Sequence, residues 1–338
     1  MNLLHRAAAL HSLLRAAPRR ASCAGLAAVL AVLAGCAAPR DAATPPDAGA
    51  MTAPVPAATT ATPVRPTVGQ PWQAVVIDGP QGVRLRAHFL PPPIDARTPA
   101  PAVLALHGCG GLYTASGALS SRYTEAAHRL QAAGAAVLLV DSFGSRQVER
   151  VCQTRYAERR IEVADRVGDA QAALAWLGAR PGVDAQRLAL MGWSNGGTTV
   201  LHVLAALRNR PSGVPLPAAA AVWYPGCVPL ARERTAVAAV PLLMQLGALD
   251  DWTPPAPCEA WARQAQQQNT PIEWHVHADS YHGFDGTAPV RFRSDVPNGV
   301  NGRGVHQGGH APARAVSQRL LDAFWARTLG LSLAEGVR

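Results

Sequence analysis

The residues that could do chemistry stand in a fixed order along the chain: a serine flanked by glycines, then an aspartate, then a histidine. The serine is Ser194 in Gly192-Trp193-Ser194-Asn195-Gly196. A serine hydroxyl is a weak nucleophile at neutral pH. It needs a general base, and the base needs an acid to orient it. Downstream, the apolar run Leu242-Leu243-Met244-Gln245-Leu246 ends in Gly247-Ala248-Leu249-Asp250-Asp251, which offers two candidate acids. A Gly-x-x-Asp turn after a strand favours Asp250 over Asp251. His282, in Tyr281-His282-Gly283-Phe284, follows the next apolar run and is the candidate base. Acyl transfer also needs N–H donors for the developing oxyanion. One should be the amide of Asn195. The other should come from His107-Gly108-Cys109-Gly110-Gly111, with Cys109 the first candidate and Gly110 the next.

Other residues compete for these roles. His275 and His277 alternate with Trp274 and Val276, as on one face of a strand, and read as structural. His306 and His310 fall in a glycine-rich irregular stretch, 286–310, where they either line a pocket or face solvent. The His-x-His pair lacks a well-placed carboxylate and the cysteines show no Cys-x-x-Cys spacing, so no metal is expected. The glycines of 107–111 are not followed by Gly-Lys-Ser/Thr, which argues against a phosphate loop. A serine–histidine–aspartate mechanism requires no cofactor. Trp193, Trp223, Tyr224 and Trp252 sit near expected strand ends, where they either wall a substrate pocket or belong to the core.

Positioning such a set requires a scaffold, and the hydrophobic pattern describes one. Strand-length apolar runs occupy 73–78, 83–90, 101–107, 135–141, 187–192, 219–224, 241–247 and 272–277. Several are continuously apolar, as in Ala102-Val103-Leu104-Ala105-Leu106, which suits strands buried on both faces. Helical stretches are expected at 117–133, 161–179, 196–208, 256–268 and 312–328. This alternation predicts a mostly parallel central sheet with helices on both faces, and an antiparallel hairpin from the first two strands. In such sheets, sites lie at the carboxyl ends of the strands. Each candidate above falls at one of those ends. Gly192 and Gly196 suit a sharp strand-to-helix turn with Ser194 at its apex, whereas the bland alternative is a glycine-rich turn with a capping serine.

The 338 residues are 49% hydrophobic and 16% charged, enough for a large buried core and unlike a disordered chain. All basic residues are arginine, and the formal charge is +9. Four of those arginines (Arg6, Arg15, Arg19 and Arg20) precede Cys36, so a chain starting there carries about +5. Scattered arginines without aromatic interleaving argue against a nucleic-acid-binding role. Residues 1–36 combine a basic start with a short apolar run, the form of an export signal. Its end, Leu33-Ala34-Gly35-Cys36, resembles the lipobox of bacterial lipoproteins. That resemblance implies a lipidated Cys36, a membrane contact through this N-terminal lipid anchor, and a place in the cell envelope facing the periplasm. Residues 37–70, rich in Ala, Pro and Thr, read as a flexible tether, and 71–338 as the catalytic domain. An oxidising compartment suggests that Cys109, Cys152, Cys227 and Cys258 form two disulfides rather than remaining buried thiols. Cys227 and Cys258 each follow an apolar run read as neighbouring strands, which favours 227–258 and leaves 109–152.

Taken together, His107-Gly108-Cys109-Gly110-Gly111, Asp141-Ser142-Phe143-Gly144, Gly192-x-Ser194-x-Gly196, Gly247-x-x-Asp250-Asp251-Trp252-Thr253-Pro254 and Tyr281-His282-Gly283-Phe284 resemble the dienelactone hydrolases of the α/β-hydrolase fold. The resemblance covers roughly 71–330 and implies a triad of Ser194, Asp250 and His282. The chain departs from the founding enzymes of that family, which use a cysteine nucleophile, act on a cyclic enol lactone and are cytoplasmic. The expected activity is hydrolysis of a small-molecule ester or lactone through an acyl-enzyme. A peptidase or acyltransferase on the same triad, or a surface lipoprotein that binds without catalysis, are the rival readings.

Overall fold

The computed structural model describes residues 69–209 and 211–333. The signal segment, Cys36 and nearly all of the expected tether lie outside the described residues.

The chain enters through an antiparallel hairpin, β1 (Gln73–Asp78) and β2 (Arg84–Leu90), in which Gln73 faces Phe89. From there strand and helix alternate: β3 (Ala100–Leu106), α1 (Ser121–Ala132), β4 (Ala136–Asp141), α2 (Val163–Gly178), β5 (Val183–Trp193) and α3 (Asn195–Leu207). Then follow β6 (Ala219–Trp223), α4 (Val228–Glu233), β7 (Leu242–Gly247), α5 (Pro255–Gln267) and β8 (Ile272–His277). A two-stranded ribbon, β9 (Arg291–Arg293) with β10 (Val305–Gln307), precedes α6 (Ala311–Leu329). The first eight strands form one sheet in the order β1-β2-β4-β3-β5-β6-β7-β8. β2 runs antiparallel to β4, and every pair from β4 to β8 is parallel. This is the α/β-hydrolase architecture expected from the sequence.

Alternation along the central strands builds two cores. Ala102, Leu104 and Leu106 of β3 face the same side as Leu138 and Val140 of β4, where α2, α3 and α5 contribute Leu174, Leu204 and Trp261. Val103, Ala105 and Leu139 face the opposite side, against Leu130 of α1 and Phe324 and Trp325 of α6. Strands β3, β4, β6 and β7 are buried at every position, which explains their continuous apolar runs. Burying large side chains such as Trp261 and Trp325 contributes on the order of 3 kcal/mol each.

Most element boundaries fall within a residue or two of those expected, with two clear exceptions. β5 begins at Val183 rather than 187, because the polar Asp184 and Gln186 conceal its start from an apolar scan. α1 begins at Ser121 rather than 117, because Gly117 takes a left-handed φ of 81° and residues 114–118 close a turn. α4 and the β9–β10 ribbon were not expected. Six- and three-residue elements carry too little periodicity to stand out.

Candidate active site

Ser194 occupies the turn between β5 and α3, at φ 54° and ψ −119°. A non-glycine residue there is strained, and the surroundings hold it: its N–H donates to Trp223 O at 2.9 Å, and its carbonyl accepts from Thr198 N at 2.8 Å. The flanking glycines are sterically required. A Cβ on Gly192 would stand 2.5 Å from Gly196 O, and one on Gly196 would stand 2.1 Å from Leu106 O. The second contact shows how closely the start of α3 packs on the end of β3. The turn therefore lifts the hydroxyl over the sheet at a helix N-terminus, where negative charge is favoured.

His282 reaches Ser194 from the loop after β8. Its Nε2 lies 2.9 Å from Ser194 Oγ, and its Nδ1 lies 2.8 Å from Asp250 Oδ2. A carboxylate only accepts, so Nδ1 carries the proton and the Nε2 lone pair faces the serine hydroxyl. The imidazole is buried between Tyr224, with ring centroids 4.4 Å apart, and Trp252 at 4.6 Å. Asp250, also buried, accepts from the Trp252 and Thr253 amides at 2.9 and 2.8 Å through Oδ1, and from Thr253 Oγ1 at 3.0 Å through Oδ2. The acid loop and histidine loop are joined directly by Leu249 N donating to Ser280 O at 2.9 Å.

The second aspartate has a different partner. Asp251 takes His306 N and His306 Nδ1 at 2.8 and 2.7 Å, and its own carbonyl accepts from Val300 N. It thereby fastens the β9–β10 excursion to the acid loop and gives His306 a partner of its own. His277 pairs with Gln245 Oε1 at 3.0 Å, a structural role on β8, and burial lowers its pKa to about 4. His310 lies 3.3 Å from Ser280 Oγ through its Nδ1. Among the described residues, no group of three or more His, Cys, Asp and Glu side chains is placed to hold a metal ion.

Both expected oxyanion donors border the cavity above Ser194, and neither amide has an acceptor among the described residues. Their loops are braced in two ways, the first an expected disulfide and the second a buried arginine that the sequence did not disclose. Cys109 is bonded to Cys152, and Val151 N donates to Cys109 O at 2.8 Å. Beneath the turn, Arg166 of α2 donates to Asn195 Oδ1 and, at 2.8 Å, to His107 O. Arg166 is fully buried, and that burial lowers its pKa to about 10, still a cation at neutral pH. Burial and the Arg166 charge also hold His107 well below its usual value; its Nδ1–H donates to Gly108 O. Nothing in the helical spacing of α2 distinguishes Arg166 from a surface arginine. The other disulfide joins Cys227 to Cys258, so both favoured pairings are present.

The cavity has a volume of about 980 Å³. Of the aromatic residues considered for its wall, Trp252 lines it. Trp193 and Tyr224 do not. Strand alternation turns Trp193, like Ala189 and Met191, toward the α1 and α6 side, where it stacks on Trp223 at 5.2 Å. Its Nε1 donates to Asp285 Oδ2 at 2.9 Å, while Tyr224 Oη donates to Asp285 Oδ1 at 2.7 Å and Arg122 pairs with the same carboxylate. Asp285, three residues past His282, thus ties the histidine loop to β5, β6 and α1.

A family model described as the dienelactone hydrolase family matches residues 88–296. Among solved structures, a dienelactone hydrolase-like promiscuous phosphotriesterase from metagenomic libraries superposes with a TM-score of 0.55 at 21% identity, covering 77% of this chain and 99% of its own. Thermogutta terrifontis esterase 2, in a form phosphorylated by paraoxon, gives 0.54 at 19% identity, over 78% of this chain and 96% of that one. The same esterase with propionate bound gives 0.53 at 18%, over 79% and 97%. At these identities the likeness is one of fold. No curated protein matches the sequence.

Proposed function

The chain belongs to the dienelactone hydrolase family and is a hydrolase of ester bonds, and from that premise we propose that it cleaves a carboxylic ester or lactone through an acyl-enzyme on Ser194. The observation that carries this reading is the continuous hydrogen-bonded chain from Ser194 Oγ through His282 to Asp250. His282 Nε2 takes the hydroxyl proton as Oγ attacks the carbonyl carbon. The Cys109 and Asn195 amides receive the oxyanion, supported by the N-terminus of α3. His282 then returns the proton to the departing alkoxide, leaving the acyl group on Ser194. Water, deprotonated by the same imidazole, releases the acid. Asp250 holds the Nδ1–H and stabilises the imidazolium that forms transiently.

Two disulfides within the domain favour an oxidising compartment. That supports export to the cell envelope with a lipid anchor on Cys36, and Cys36→Ser should then move the protein from the membrane fraction to the soluble one. For the chemistry, Ser194→Ala should lower turnover of a 4-nitrophenyl ester at least ~10³-fold and abolish labelling by a fluorophosphonate probe. Unchanged turnover in that variant refutes the assignment of the nucleophile. A peptide-selective profile would move the reading to a peptidase.

A further inference from the structure

Building on that reading of the site, we propose that its substrate is an ester carrying an extended apolar group of about eight carbons or more, rather than a small lactone. The cavity above Ser194, at about 980 Å³, lies at the top of the roughly 300–1,000 Å³ range of small-molecule sites. An acetyl ester or a five-membered lactone would leave most of it unfilled.

Its lining combines a few polar groups with a largely apolar wall. Around the reacting serine stand the Asn195 amide and two threonines whose hydroxyls are turned to the protein, Thr198 donating to Ser194 O and Thr253 to Asp250 Oδ2. The rest of the wall is largely apolar, with Ile161, Val163, Val167, Pro229, Trp252 and Pro254 among its lining residues. The two ionised side chains on the wall make local contacts. Arg159 lies over the Tyr156 ring, 4.3 Å from its centroid, and donates to Thr154 O, while Glu162 forms a capping box with Asp165 at the start of α2. His202 is disfavoured as a cation by burial.

The apolar track continues to the surface. Tyr156, Val228 and Val300 line the cavity yet are 59%, 59% and 63% exposed. Side chains of this kind standing in water around a mouth gain when an apolar ligand covers them. A chain held by its ester at Ser194 would reach outward to cover side chains of this kind.

The experiment is a pair of substrate series on the intact enzyme: 4-nitrophenyl esters from acetyl to dodecanoyl, and alkyl acetates from ethyl to decyl followed by pH-stat. Each buried methylene can raise kcat/KM by up to ~4-fold. The proposal therefore expects at least a ~30-fold rise by eight carbons in one of the two series. Flat or falling profiles in both overturn it, and fluorophosphonate labelling of Ser194 in the same sample would then show the hydrolase reading intact. Ala164→Trp supplies the second test, since Ala164 lines the cavity on an exposed part of the first turn of α2, where a large side chain can be added without repacking the core. In whichever series rises, the eight-carbon-to-two-carbon ratio of kcat/KM should fall at least ~10-fold in that variant; an unchanged ratio refutes the placement of the apolar group.

Discussion

Arg166 offers the sharpest test of how the site is held together. It reaches from α2 to both sides of the expected oxyanion hole, donating to Asn195 Oδ1 and His107 O. Cys109 lies two residues beyond His107, so one guanidinium fixes both amide-bearing segments. Arg166→Met keeps the apolar stem and releases both ties. Deleting one oxyanion donor costs about 10²–10³ in kcat. Loosening two donors without removing either should cost less, about 10- to 100-fold, equivalent to ~1.4–2.7 kcal/mol. The loss should fall on kcat with KM nearly unchanged, because the donors act on charge that develops only in the transition state. Stability should change less than two lost hydrogen bonds suggest. The buried guanidinium carries its own desolvation penalty, visible in a pKa lowered to about 10, and the substitution removes that penalty too. Steady-state kinetics on a 4-nitrophenyl ester, normalised by fluorophosphonate titration of competent sites, measures the effect. Arg166→Lys retains a charge but not the fork, and should recover only part of the activity. A kcat within twofold of the parent in the methionine variant, or a loss confined to KM, refutes the bracing role.

The two adjacent aspartates should separate cleanly: Asp250→Asn should lower kcat by ~10³–10⁴-fold, whereas Asp251→Asn, which weakens the hold on His306, should lower it less than ~10-fold. Breaking the Cys109–Cys152 bond, which closes a separation of 43 residues, should cost about 4 kcal/mol by chain entropy, read by denaturant unfolding of Cys152→Ala, and should also reduce kcat if Cys109 supplies the proposed oxyanion amide. His277 should make the fold acid-sensitive. Its pKa in the folded protein is about 4 against an ordinary 6.5, so its contribution is complete above pH 6.5 and is lost as pH falls from 6.5 toward 4. The melting temperature should decline across that interval, and less steeply in His277→Gln.

Much of the scaffold was legible because buried parallel strands announce themselves. β3, β4, β6 and β7 are apolar at nearly every residue, and the candidate triad stands at predictable strand ends. The site became harder to read wherever function depends on contacts distant in sequence. Arg166 is separated from Asn195 by 29 residues, and its importance comes from burial that no local pattern encodes. The choice between Asp250 and Asp251 rested on turn geometry, and their partners, His282 and His306, are settled only by tertiary packing. Trp193 was open to two readings, and alternation along β5 from Met191 places it in the core. The ribbon within 286–310 was missed because its strands are three residues long. Asp285 carries no periodic signal at all, although it gathers Trp193, Tyr224 and Arg122.

The contact between Trp252 and His282, with ring centroids 4.6 Å apart, gives the molecule an optical channel to its own acid–base chemistry. Indole emission is quenched more strongly by imidazolium than by imidazole, so the brightness of Trp252 follows the proton on the ring beside it. Titrating the intrinsic fluorescence, with a Trp252→Phe sample subtracted, would record ionisation at His282 in the absence of substrate.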